Sequence, residues 1–159
     1  MTRLGRLIVP CIVTALLLGC GGPASRDKVV HVAKDDAEMD QAIATARSRL
    51  PEFWAAYDQP EGATDFALKV EITDAKGTEF FWVTDLERRD GKLFGMINND
   101  PNIVTSVKYG QVIEVPDDKI ADWMFLRGEK MHGNLTLRPL LKTLPKDEAD
   151  ALRAQLAEP

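Results

Sequence analysis

The feature that most limits this chain is a series of short apolar runs with a period of two, set between stretches with a period near 3.6. Phe66, Leu68, Val70 and Ile72 alternate with Ala67, Lys69 and Glu71, the pattern of a strand with one buried face. Phe80 to Val83 and Trp123 to Leu126 are apolar at every position, which predicts strands covered on both sides, with Trp82 and Trp123 in the core. Asp74 to Gly77 and Asp90-Gly91 supply turns, the second a hairpin turn into Leu93 to Ile97. Asn98 to Pro101 breaks the chain. Gln111 to Val115 reads as a further strand, and Lys130 to His132 returns after a turn at Gly128.

Helices bracket these strands. Asp35 with Glu38 has the layout of a capping box. Met39, Ile43, Ala46, Leu50, Phe53 and Tyr57 then recur at steps of three and four, one apolar stripe that assigns Phe53, Trp54 and Tyr57 to the core. Pro51 either kinks this helix or opens a second short one. Pro145 to Leu156 closes the chain as a short helix with Ala149, Leu152 and Leu156 on one face. The expected fold class is α+β: an N-terminal helix packed on a curled antiparallel sheet of five or six strands, half-open or barrel-like, and a short C-terminal helix.

The first residues carry an address. Arg3 and Arg6 precede Leu7 to Leu18, an uncharged stretch whose helical length of roughly 18 Å falls short of a bilayer core of ~30 Å, so a secretory signal fits better than a membrane span. It ends in Leu17-Leu18-Gly19-Cys20, which resembles a bacterial lipobox. That resemblance implies a signal peptide over residues 1–19, a lipidated Cys20 and a flexible tether over 20–34. Val29, Val30 and Val32 are either a short strand or the tether's end. A single α+β domain over 35–159 follows, held within ~50 Å of the membrane. The expected location is the cell envelope, and by the same resemblance Gly21 implies the outer membrane facing the periplasm in a Gram-negative cell. Removing residues 1–19 leaves 140 and deletes two arginines, so 20 cations against 25 acids become 18 against 25, a net charge of −7.

That balance argues against a nucleic-acid partner. Two Cys and two His, His31 and His132, lack ligand spacing, so no metal and no cofactor are expected. No phosphate loop or nucleophile elbow is present, and a triad would need Ser106 to meet His132, so no catalytic residue is assigned. Carboxylates are plentiful: Glu79 and Asp85 flank one apolar strand, and Asp117, Asp118 and Asp122 precede the other. A pair of them beside Trp82 or Trp123 would serve a glycosidase, whereas turns and strand ends use such acids structurally.

Several blocks resemble one bacterial family. Asp117-Asp118-Lys119-Ile120-Ala121-Asp122-Trp123-Met124 and Gly133-Asn134-Leu135-Thr136-Leu137-Arg138 carry the resemblance, with Glu79-Phe80-Phe81-Trp82-Val83-Thr84-Asp85 and the helix pattern Met39 to Arg47. They are similar to the domain of unknown function 2314, the YegJ-like proteins, over about residues 30–141. The resemblance implies a small α+β domain, often secreted or lipid-anchored, and supplies no activity, substrate or catalytic residue. Asp122 is expected to hold a backbone amide or Arg138, and Gly133-Asn134 to make a turn or bulge.

The functional expectation is a non-enzymatic, lipid-anchored envelope protein that binds another macromolecule. The alternatives are an envelope glycan hydrolase using paired carboxylates and an immunity-like inhibitor of a basic partner. The candidate binding residues are Asp118, Asp122, His132, Asn134 and Arg138, on the segments flanking the strand that starts at Trp123. The helix face around Arg47 and Glu52 is the next surface.

Overall fold

The computed structural model describes residues 37–158. The expected signal peptide, lipidated Cys20 and tether, with Val29 to Val32 and the Asp35 end of the expected capping box, lie outside the described residues.

The apolar stripe forms two consecutive helices, α1 (Ala37–Ser48) and α2 (Leu50–Asp58). Pro51 decides between the two readings of this region. It occupies the first turn of α2, where a missing N–H costs nothing, so the helix restarts rather than kinks. Ala46 and Phe53 are fully buried, and Met39, Ile43, Leu50 and Tyr57 are half-buried on the same stripe.

Six strands follow: β1 (Ala63–Asp74), β2 (Gly77–Arg89), β3 (Lys92–Ile97), β4 (Val112–Glu114), β5 (Ile120–Arg127) and β6 (Lys130–Gly133). They form one antiparallel sheet in the order β4-β3-β2-β1-β5-β6. The sheet is therefore open, with β4 and β6 at its edges, and does not close into a barrel. The chain leaves β4 at one edge and returns through a 3-10 turn (Asp117–Lys119) to place β5 beside β1. After β6 come the four-residue α3 (Leu137–Leu140) and α4 (Lys146–Gln155).

The helices cover one face of the sheet. Phe66, Leu68 and Val70 of β1, Phe81 and Val83 of β2, and Trp123 and Phe125 of β5 join Ala46 and Phe53 in the main core. The Phe53 ring lies 6.0 Å from that of Trp123, and the Trp123 indole N–H donates to the Ala46 carbonyl at 2.9 Å. An indole buried this way satisfies its one polar group while removing a large apolar area from water. A smaller cluster of Leu141, Ala149 and Leu156 sets α4 against α3 and Met131.

The two-sided reading holds for the strand at Trp123 to Leu126, where no side chain is exposed, and needs correction for Phe80 to Val83. Trp123 is 1% exposed, but Trp82 is only half-buried and Phe80 is 40% exposed. Successive side chains of a strand face opposite ways. Phe81 and Val83 enter the core, so Phe80 and Trp82 point to the face without helices. Bulges in β1 and β2 coincide with Asp65 and Asp85, both at positive φ, 54° and 48°. Short polar Asp tolerates that left-handed conformation, so these acids shape the backbone.

Candidate functional site

The polar centre of the molecule is Asp122. It is fully buried, on the sheet face opposite the Trp123 side chain. Oδ1 accepts from the N–H groups of Trp123 (2.8 Å) and Leu135 (3.2 Å). Oδ2 accepts from the N–H and the hydroxyl of Thr136, both at 2.7 Å. The Thr136 hydroxyl accepts in turn from Lys69 Nζ at 2.9 Å, and Lys69 lies opposite Asp122 in the β1–β5 register. Lys69 Nζ also sits 5.1 Å from the centre of the Trp82 ring.

The segment can reach Asp122 because β6 ends in two consecutive left-handed residues, Gly133 (φ 78°) and Asn134 (φ 47°). A Cβ on Gly133 would stand 2.2 Å from the Trp123 carbonyl oxygen, so only glycine fits there. The Asn134 N–H donates to that same carbonyl at 2.8 Å, and its side chain contacts Met131 Sδ. Of the two expected partners of Asp122, the structure shows the backbone amides. Arg138 instead donates through Nη2 to the Ala157 carbonyl at 2.9 Å.

The other candidate residues do not gather around this centre. Asp118 is exposed in the 3-10 turn before β5, where its carbonyl accepts from Arg47 Nη2 at 3.3 Å. His132 pairs with Phe125 near the far end of β5 and stacks on its ring at 4.9 Å. Ile120 and Phe125 are roughly 16 Å apart along an extended strand, so Asp118 and His132 belong to separate surfaces. Burial, then the Arg127 charge, lowers the His132 pKa below its ordinary value. On α1, Arg47 Nε holds the Ile120 carbonyl at 2.8 Å, and Glu52 pairs with Arg49 at 2.8 Å.

The remaining acids also serve the backbone. Glu79 is buried and accepts from the N–H groups of Asn102, Ile103 and Val104 at 2.9–3.2 Å. Burial pushes its pKa up, but these donors and the Asn102 side chain together hold it below the usual value. Asp74 accepts from the N–H groups of Thr105 (2.6 Å), Lys76 (2.7 Å) and Ser106 (3.0 Å), which lower its pKa to about 2. Both carboxylates thus fasten the loop between β3 and β4. Glu79 and Asp85 are six positions apart in β2, roughly 20 Å in an extended strand and beyond the 5–9 Å of a glycosidase pair. Ser106 is tied to Asp74 at the β1–β2 turn, away from His132 on β6. Among the described residues no group of His, Cys, Asp and Glu converges as metal ligands, and no helix is long and apolar enough to cross a membrane.

What sequence reasoning missed is the open face of the sheet. Across it run Phe80, Trp82 and Thr84 of β2, Met96 of β3 opposite Thr84, and Val112 of β4 opposite Met96. Val112 is 58% exposed. The signal available was the polar side of the β1 alternation: Lys69 pairs with Trp82 and Glu71 with Phe80, and the alternation places Lys69 and Glu71 away from the core.

Fold and site define a small α+β domain: an open antiparallel sheet with helices on one face and a buried carboxylate locking its return segment. The chain belongs to the family described as an uncharacterized protein conserved in bacteria, DUF2314, matched over residues 36–157. The match takes in α4, beyond the expected end near residue 141. The chain is 44% identical over 130 residues to the uncharacterized protein YegJ of Escherichia coli, covering 82% of this chain and 84% of that protein. It is 27% identical over 129 residues to a putative ankyrin repeat protein of Neisseria meningitidis serogroup B, covering 76% of this chain and 51% of that one. No solved structure matches it.

Proposed function

We propose that the chain is a lipid-anchored, non-enzymatic binding module of the bacterial cell envelope, held at Cys20 and contacting an envelope macromolecule through its open sheet face. The observation that carries the reading is that face: Phe80 at 40% and Val112 at 58% exposure on a hydrogen-bonded sheet, beside Trp82 and Lys69. Large apolar side chains grouped on a rigid surface favour an interaction site. Further support comes from the acids, because Asp74, Glu79 and Asp122 bind backbone N–H groups within the fold. The lipobox-like Leu17-Leu18-Gly19-Cys20 supports the anchor and the envelope location.

Two measurements test it. Cys20→Ser should move the protein from the detergent phase to a soluble or unprocessed form; unchanged partitioning would sink the anchor. A photo-crosslinking residue at position 80 in intact cells should give a discrete adduct that the same residue at exposed position 41 on α1 does not. Identical patterns at both positions would refute the open face as the contact surface.

A further inference from the structure

The two edges of the sheet differ. At β6 the edge is covered: Met131 bridges Leu156, and the Ala157 N–H donates to the Met131 carbonyl at 2.8 Å. At β4 no strand of the described residues lies beyond, and Val112 and Glu114 are exposed. The Ile97 N–H donates to the Gln111 carbonyl at 2.9 Å and the Val115 N–H to the Leu93 carbonyl at 2.8 Å. In an antiparallel ladder such inward bonds recur at every second residue. The N–H and C=O groups of Val112 and Glu114 therefore point away from β3 into solvent. An edge of this kind is a template for another strand.

The flanks of β4 fit a second copy of the same chain. Exposed large hydrophobic side chains are few among the described residues, and Tyr109 and Val112, both 58% exposed, stand at this edge. Lys108 precedes β4, and Asp117 and Asp118 follow it; all three are exposed, and no ion pair holds any of them among the described residues. Glu114 is compensated by Lys92 at 2.7 Å. Two identical strands paired antiparallel are related by a twofold axis, here at Ile113. Val112 then faces Glu114 of the second copy, and the two exchange both backbone hydrogen bonds on each side of the axis. The Lys108 end of each copy meets the Asp117–Asp118 end of the other, so opposite charges close both ends of the seam. A parallel alignment would set lysine beside lysine and acid beside acid. A chain with a net charge of −5 repels its own copies, and charges placed this way give the approach a direction.

We propose that two copies of this chain pair through β4, antiparallel about Ile113, into one continuous sheet. The seam uses backbone groups and end charges, so it stands apart from the open-face reading, and either can fail alone. The ladder is short and the interface falls at the low end of specific contacts, so pairing is weak in dilute solution and is read at the density of the protein in cells.

The test uses the full-length chain in intact cells, with two differently tagged copies co-expressed. One carries Val112→Cys and the other Glu114→Cys, both exposed positions outside the core. Directly opposed residues have Cα atoms about 5.5 Å apart, within disulfide range, whereas diagonal neighbours lie about 7–8 Å apart. Mild oxidation should give the mixed-tag disulfide at least about threefold above either variant paired with itself, and above the parent chain, whose Cys20 sets the background. Lys108→Glu in both copies should cut that yield about threefold or more, and adding Asp117→Lys and Asp118→Lys should restore it, a recovery that an unfolded variant would not show. No mixed disulfide above the parent, equal yields from all pairings, a yield unmoved by Lys108→Glu, or no recovery on the charge swap overturns the proposal.

Discussion

Asp122→Asn is the substitution that separates a buried lock from a binding residue. It keeps volume and leaves one carbonyl oxygen, which can still accept from Trp123 N–H and Leu135 N–H. The other oxygen becomes an NH₂ facing the Thr136 N–H, previously 2.7 Å from an acceptor. Two donors then oppose each other in a fully buried site. The Thr136 hydroxyl also loses its acceptor while still accepting from Lys69. One buried N–H left unpaired costs about 1–3 kcal/mol, and a charge-assisted hydrogen bond adds roughly 1.5–3 kcal/mol. The expected loss is about 3–5 kcal/mol, a large part of the roughly 5–15 kcal/mol that keeps a domain folded. At this size that lowers the melting temperature by roughly 10–20 °C. Urea unfolding followed by tryptophan fluorescence reads it, with the slope unchanged if only stability moves. In a double-mutant cycle with Lys69→Met, the second change should cost less once Asp122 is gone, because the two act through Thr136. A loss below about 1 kcal/mol would refute the lock and return Asp122 to the candidate binding residues.

The two tryptophans should part company in the same assay: Trp123→Ala should cost about 3–5 kcal/mol, as buried aromatic truncations do, and Trp82→Ala no more than about 2 kcal/mol. Equal losses would contradict the open face. Gly133→Ala should destabilise by about 3 kcal/mol or more, from left-handed strain plus a clash with the Trp123 carbonyl; a near-neutral result would mean the turn is wrongly described. The Asp74 carboxyl is depressed from 3.8 to about 2, so the stability it contributes is complete above pH 4 and is lost as pH falls towards 2. Acid unfolding curves of Asp74→Asn should lack part of that slope, and an unchanged slope would contradict the fastening of the loop. Glu79, also depressed, adds stability lost over an overlapping acidic window, and Glu79→Gln should flatten the same limb.

How much was legible follows the range of each interaction. The strand runs, the turn at Asp90-Gly91, the helix stripe and the C-terminal face of Ala149 and Leu156 depend on neighbours within a few residues, and the structure reproduces them. The two-sided reading of Phe80 to Val83 failed because an apolar side chain looks the same in sequence whether a helix covers it or not. Phe80 and Phe81 are adjacent and chemically identical, yet one is 40% exposed and the other 0%. Only the placement of α1 and α2 on one face distinguishes them. The candidate site was legible as residue types and illegible as geometry. Asp122 was noticed, but its partner Thr136 is 14 positions away and Lys69 lies 67 positions from Thr136.

The acids share one physical role that also locates what is left for function. Asp74, Glu79 and Asp122 each bind N–H groups of consecutive residues in segments that no strand or helix satisfies: Thr105 and Ser106, Asn102 to Val104, and Leu135 and Thr136. A backbone segment packed away from water must find acceptors, and a carboxylate supplies two oxygens with several lone pairs at once. The irregular parts of this fold are thus held by carboxylates, as its regular parts are held by the sheet. An acid whose oxygens are saturated this way is poorly suited to take a substrate proton or coordinate a partner without releasing the loop it holds. The groups with capacity to spare are of the opposite kind: apolar side chains on the open face. That surface, and not these saturated acids, is where loss of binding should separate from loss of stability.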